Sequence, residues 1–290
     1  VWVLSLGIAL IDSSLTARVL FVSTAGNDGS GDGSWEQPFR TIHHALSLAQ
    51  SGDEVVLRGA PGVADNTYPE AIRIQQPNLT LRSHNGEWAV IRCPTADENV
   101  ATCVLFDVDS DGSRLQRLEV IGGYYYGIKL ETKWDWGDPN DRSGAQNVVL
   151  ENLKVHDTGN AAIKVTPGCD GLIARRVELY NTGRIFPNSA EGIDNVNGDR
   201  MLVQDSYIHD TSDTGIYCKG GAIDCLVERT LIAHTGGAGI LLGFDTSPEF
   251  FDLAENPEFY ENIRGIARNN IIVDTQGAGI GLFAAKDAQV

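Results

Sequence analysis

Lys164, Asp194 and Tyr217 each follow directly on the isoleucine of a recurring Gly/Ala-Ile pair, and Lys219 stands two residues beyond Tyr217. If each isoleucine points inward from a short strand, alternation turns the next residue outward. Lys164, Asp194 and Tyr217 then form one exposed row, with Thr166, Val196 and Lys219 in the row beside it. Such a strip suits removal of a weakly acidic proton from a carbon next to a carboxylate, a reaction that needs the carboxylate neutralised and a base supplied. Lys219, within Tyr217-Cys218-Lys219-Gly220-Gly221, is the first candidate base because its small neighbours leave the ammonium accessible. Lys164 is the second, and Tyr217 completes the catalytic set. Glu191 and Asp194, with Asp199 in support, are candidates to hold a calcium ion, which binds carboxylate oxygens and would do the neutralising. Two other readings stay open. Asp194 with Glu191 or Asp213 could be the carboxylate pair of a glycoside hydrolase, or the strip could serve an epimerase. A non-catalytic carbohydrate-binding surface protein would need none of these charges.

The elements that must carry these residues follow from the repeat. Ile128, Ile163, Ile193, Ile216, Ile240 and Ile280 occupy one column, and stretches beginning at Leu153, Val177, Ser206, Thr230 and Asn270 occupy a second. Coils of 30, 23 and 24 residues separate Ile163, Ile193, Ile216 and Ile240. That is too short for helix-containing repeats and suits three short strands per turn of a right-handed parallel β-helix. The second column ends in Asp157, Asn181, Asp210, His234 and Asp274, read as a turn ladder; His156 and His209 lie in this column and are read as structural. Between column and isoleucine the spacing is constant except where Arg184-Ile185-Phe186-Pro187-Asn188-Ser189 is inserted. The connections after the isoleucine column are brief in three coils but long on either side, at Glu131 to Asn147 and Gly243 to Arg264. Their Trp134, Trp136, Phe244 and Tyr260 are candidate platforms for sugar rings along a floor about three coils wide.

At the start of the chain, Thr41 is placed to cap a short amphipathic helix bearing Ile42, Ala45, Leu46 and Ala49, which would plug the open end of the solenoid. The run from Val22 through Pro38-Phe39-Arg40-Thr41-Ile42 to Ser51-Gly52-Asp53-Glu54-Val55 resembles the opening of secreted parallel β-helix proteins related to family 9 pectate lyases, in the pectin-lyase-like superfamily. The repeats from Gly127 onward resemble that superfamily's general repeat. The resemblance implies a lysine base beside a carboxylate calcium cluster, roles that Lys219 and Asp194 can fill, although the family's cluster of several aspartates is not evident. Lys219 to Gly243 also resembles family 6 alginate lyases, which use a lysine and an arginine about one coil later. Gly239-Ile240-Leu241-Leu242-Gly243 offers no such arginine.

The chain of 290 residues is 42% hydrophobic with 32 glycines, 10 prolines and one methionine, a composition of many strands and tight turns. The formal charge of −17 argues against nucleic acid as a partner, and against an acidic polysaccharide unless a divalent cation bridges carboxylate to carboxylate. Residues 1–17 read as the remnant of an export leader too short to span a membrane, and 18–290 as one domain that breaks off in mid-coil. A monomer, secreted, periplasmic or at the cell surface, is expected. Of five cysteines, Cys93/Cys103 and Cys218/Cys225 are spaced to pair, leaving Cys169 over.

Overall fold

The computed structural model describes residues 17–59, 66–133 and 143–290. The stretch read as an export leader lies outside them, apart from its last residue. No helix among the described residues is long and apolar enough to cross a membrane.

The isoleucine column sets the architecture. Ile72, Val104, Ile128, Ile163, Ile193, Ile216, Ile240 and Ile280 pair in unbroken parallel register, each one coil above the last. All but Ile280 are buried, because alternation turns them into the solenoid. Their strands form a sheet of eight. The other two strands of each coil lie in a 14-stranded sheet. In the middle coils they run on as single strands of eight residues, Arg114–Ile121, Val149–His156 and Ile173–Tyr180. In later coils they separate, as in Leu202–Gln204 and Tyr207–His209. The result is a right-handed parallel β-helix with three strands per coil.

The corners are made by residues in the left-handed region. The expected ladder Asp157, Asn181, Asp210, His234 and Asp274 has φ of 50–54° throughout. A second ladder, Arg117, Asn152, Arg176, Asp205, Arg229 and Asn269, bends the long strands with φ of 49–55°. A third, Asn147, Arg200, Asp224, Arg264 and Asp287, precedes each new coil with φ of 54–57°. Asn and Asp predominate because a short polar side chain tolerates this conformation best.

Helix Ile42–Leu48 closes the first coil, with the Thr41 hydroxyl accepting from the His44 amide and Ile42, Ala45 and Leu46 buried. It packs on the strands Val19–Val22, Glu54–Leu57 and Ile72–Ile74, as a plug should. On the outer face of the larger sheet, His156, Tyr180, His209 and Tyr207 stack with ring centroids 4.0–5.0 Å apart. Cys93 and Cys103 form a disulfide. The second expected pair does not: Cys218 and Cys225 are buried thiols, as is Cys169. A hydrogen bond with Cys218, followed by burial, raises the Cys225 thiol well above its ordinary value, so Cys225 sits in the core as a protonated group.

The ladder makes a stability prediction. Asn181→Val should cost about 1–2 kcal/mol, because a β-branched residue is forced to positive φ, whereas Asn181→Gly should change urea stability by only a few tenths. Equal losses for the two variants would show that the corner is held by the asparagine side chain and not by its backbone.

Candidate active site

The outward row of the eight-stranded sheet reads Lys129, Lys164, Asp194, Tyr217, by direct register between Tyr126–Leu130, Ile163–Val165, Ile193–Val196 and Ile216–Lys219. Successive members stand about 4.8 Å apart. Asp194 is the hub. Its Oδ2 lies 2.5 Å from the Lys164 Nζ and its Oδ1 3.9 Å from the Lys219 Nζ. The three side chains are 14–16% exposed, deep enough to strengthen their interaction and open enough to meet a substrate. Lys129 is engaged separately, 3.0 Å from Glu131.

Burial alone would lower the Lys164 ammonium, but the Asp194 carboxylate outweighs it and the net shift is upward, so Lys164 stays protonated. The Lys219 ammonium makes no hydrogen bond to any described residue. Its ammonium rests over the Tyr217 ring at 4.4 Å and faces Phe244 at 5.6 Å. Tyr217 is not the open row member that alternation suggests. Phe244 folds back from the long connection and stacks on it at 5.1 Å, leaving it 4% exposed. Its hydroxyl accepts from Thr214 at 3.3 Å. Thr166 and Val196, expected in the second exposed row, are also covered; the Thr166 hydroxyl donates to the Leu130 carbonyl at 2.7 Å. The floor therefore narrows to Lys164, Asp194 and Lys219.

Glu191 lies beneath this floor, 3% exposed. Burial, then the charge of Asp194, pushes its carboxyl up to about 8. It is a neutral acid at neutral pH. Its Oε2 and the Oδ1 of Asp194 are both buried and accept no hydrogen bond. Burial also raises the half-buried Asp213. The residue that sequence reasoning missed is Tyr126. Burial raises its phenol, and the charges around it are those of Lys164, Asp194 and Glu191. The hydroxyl has no hydrogen-bond partner among the described residues. A signal existed: Tyr126 stands two residues before Ile128, as Glu191 does before Ile193 and Thr214 before Ile216.

The remaining expected site residues fall elsewhere. Asp199 lies past the corner, in a separate cavity of about 70 Å³ lined also by Asp170, Asp252 and Glu255. Burial pushes it up to about 7, and its Oδ1 accepts from the Ile223 amide at 2.8 Å. Tyr260 has Lys286 over its ring at 5.0 Å. Phe251 and Phe259 pack edge to face at 5.3 Å, so of that connection's aromatic residues it is Phe244 that reaches the floor. Trp134 and Trp136 lie outside the described residues.

Both oxygens of Asp194 face ammonium groups and Asp199 is in another cavity, so the three carboxylates expected to hold calcium, which takes six to eight converging oxygens, do not converge on one point. Among the described residues no group of three or more His, Cys, Asp or Glu is placed to hold a metal.

Stacked coils, left-handed corners and a charged strip on one sheet accord with a match over residues 141–290 to the family described as right handed beta helix region. The chain belongs to that family. This right-handed β-helix is similar in structure to an alginate lyase from Paenibacillus sp. str. FPU-7, with a TM-score of 0.63 and 17% identity over 94% of this chain and 97% of that one. It is similar also to pectate lyase Pel9A, with a TM-score of 0.61 and 14% identity over 93% and 78% of the two chains. A third similar structure is a rhamnogalacturonan lyase, with a TM-score of 0.58 and 12% identity over 87% and 68%. At these identities the likeness is one of fold, and it agrees with the pectin-lyase-like opening and repeats. No curated protein matches the chain.

The buried acid of this β-helix gives a pH prediction. Glu191 holds its proton up to about 8 in the folded state but loses it near its ordinary 4.5 when unfolded. Stability should thus be full below the unfolded value and fall as pH rises toward 8. Glu191→Gln removes the titration, so its stability relative to wild type should climb between pH 5 and pH 8 in urea unfolding. A constant difference across that window would mean that Glu191 is not a neutral acid in the fold.

Proposed function

We propose that this right-handed β-helix is a secreted, monomeric lyase that cleaves a uronic-acid-containing polysaccharide by β-elimination. The observation that carries the reading is the charge of the floor. On a chain of net charge −17, the ammonium groups of Lys164 and Lys219 flank the Asp194 carboxylate, and the neighbouring Glu191 and Asp213 are both shifted toward their neutral forms, so cationic groups face outward along the strip. An anionic sugar is what such a strip would favour. Three solved structures of the same fold are named as lyases, and the Cys93–Cys103 disulfide suits an oxidising compartment outside the cytosol.

In this reading Lys164 neutralises the uronate carboxylate, which makes the proton on the adjacent carbon more acidic. Lys219, in its free-amine form, takes that proton. The carbon–hydrogen electron pair becomes the new double bond, the glycosidic carbon–oxygen bond breaks, and Tyr126 gives its phenol proton to the departing oxygen. Tyr217 acts as a positioning residue, its ring forming the shelf on which the Lys219 ammonium lies. Lys164 performs the neutralisation expected of calcium, so a chelator should leave the rate unchanged.

A hydrolase is the second reading, favoured by the contrast between neutral Glu191 and the ion-paired Asp194. The two separate in one assay. Protein is mixed with alginate, polygalacturonate or glucuronan, with calcium or with chelator, and the ultraviolet absorbance of an unsaturated product is followed. Lys219→Ala should slow its appearance by roughly 10²–10⁴-fold, the usual contribution of a positioned base. New reducing ends without ultraviolet absorbance, undiminished in Lys219→Ala, would instead establish hydrolysis.

A further inference from the structure

Beside the charged floor stands an aromatic group that the proposed chemistry does not use. Tyr124, Tyr125 and Tyr126 are consecutive at the corner leading into the strand Tyr126–Leu130. Tyr126 turns in toward Lys164, while Tyr125 turns out and is 38% exposed. Phe186 backs the exposed ring, nearly parallel to it at 5.2 Å with 12° between planes, and meets Tyr124 edge to face at 5.4 Å.

Phe186 belongs to the six-residue segment 184–189 that interrupts an otherwise constant spacing. That segment is pinned to the adjacent coil. The amides of Arg184, Ile185 and Phe186 donate to the carbonyls of Thr158 and Gly159 at 2.8–3.0 Å. The crossing needs a glycine: a Cβ on Gly159 would lie 1.8 Å from the Tyr124 carbonyl oxygen. The rest of the segment is largely exposed, so its packing centres on Phe186, whose ring supports the tyrosine pair.

We infer that Tyr125, backed by Phe186, is a stacking platform for one sugar ring of a polysaccharide lying on the charged floor. The inference rests on the proposed polysaccharide substrate but not on the elimination step. Its position sets the register. The Tyr125 ring is 5.9 Å from that of Tyr126, so the platform lies about one sugar unit beyond the group assigned to protonate the leaving oxygen. Phe244, 40% exposed, stands at the opposite end and opposite corner. Four coil steps separate Ile128 from Ile240, or roughly 19 Å at strand spacing, and a chain crossing both platforms needs about four units. Ring stacking supplies affinity without reading charge, so Tyr125 should act on chain length and binding, not on the chemical step.

The test uses Tyr125→Ala, Phe186→Ala and the conservative Tyr125→Phe, each compared with wild type by thermal unfolding. On polymer or hexamer, Tyr125→Ala should raise KM roughly five- to tenfold with kcat nearly unchanged. On trimers it should have little effect, and Tyr125→Phe should behave as wild type. A fall in kcat alone, or equal losses on trimer and hexamer, overturns the platform. Native gels cast with alginate, polygalacturonate or glucuronan give a readout independent of catalysis. Retardation of wild type that weakens in Tyr125→Ala upholds the platform even if no elimination is seen. Retardation that is the same in both overturns it, and a wild type that no polymer retards overturns platform and substrate class together.

Discussion

Everything in this β-helix depends on the phase of its coils, which the left-handed corners hold. Each strand is only a few residues long, so its hydrogen bonds alone would allow a slip. A slip of one residue would put Ile163 outside and Lys164 in the core. The corner residues prevent this by fixing where each strand must begin, and Asn152, Asp157, Asn181, Asp205 and Asp210 pay the small conformational cost. Once the phase is fixed, residues on different coils become neighbours by register alone. Lys164, Asp194 and Tyr217 come together although 30 and 23 residues separate them in sequence.

The electrostatics of the floor follow from that geometry and turn on one proton. Lys164 and Lys219 contribute two positive charges and Asp194 one negative. Asp213 adds a further carboxylate beside Lys219, and an ionised Glu191 would add another. The depth of Glu191 thus keeps one negative charge off the strip. Its burial under Asp194 is what keeps it protonated, and the orphaned oxygens of both residues show a site that its own side chains leave incompletely satisfied.

The solenoid, its register and its helical plug were legible in the chain because each rests on a local rule: isoleucine spacing, strand alternation, a threonine cap. That Lys164, Asp194 and Lys219 lie side by side was legible for the same reason. What failed depended on segments that return from a distance. Tyr217 satisfies alternation, yet Phe244 covers it from a connection whose path no period encodes. Asp199 is five residues from Asp194, but the corner between them carries it into another cavity. Tyr126 was passed over within a run of three tyrosines, since adjacency in sequence does not say which of the three turns inward. Cys218 and Cys225 have the spacing of a disulfide, whereas the core accommodates them as hydrogen-bonded thiols.

A strongly acidic chain and a proposed polyanionic substrate are in apparent conflict, and distance resolves it. At physiological ionic strength, charges more than about 8–10 Å from the groove are largely screened. The carboxylates on the outer face of the larger sheet are moreover mostly paired, Glu151 with Arg175 at 2.9 Å and Glu228 with Arg268 at 2.8 Å. What an approaching uronate meets at contact is the pair of ammonium groups on the floor, in a partly buried setting where screening is weakest. The overall charge then governs solubility and the rate of encounter, while the two lysines govern what is held once encounter has occurred. Calcium is one way to reconcile an acidic protein with an acidic polymer; two lysines set around one aspartate are another, and they are the arrangement that this β-helix contains.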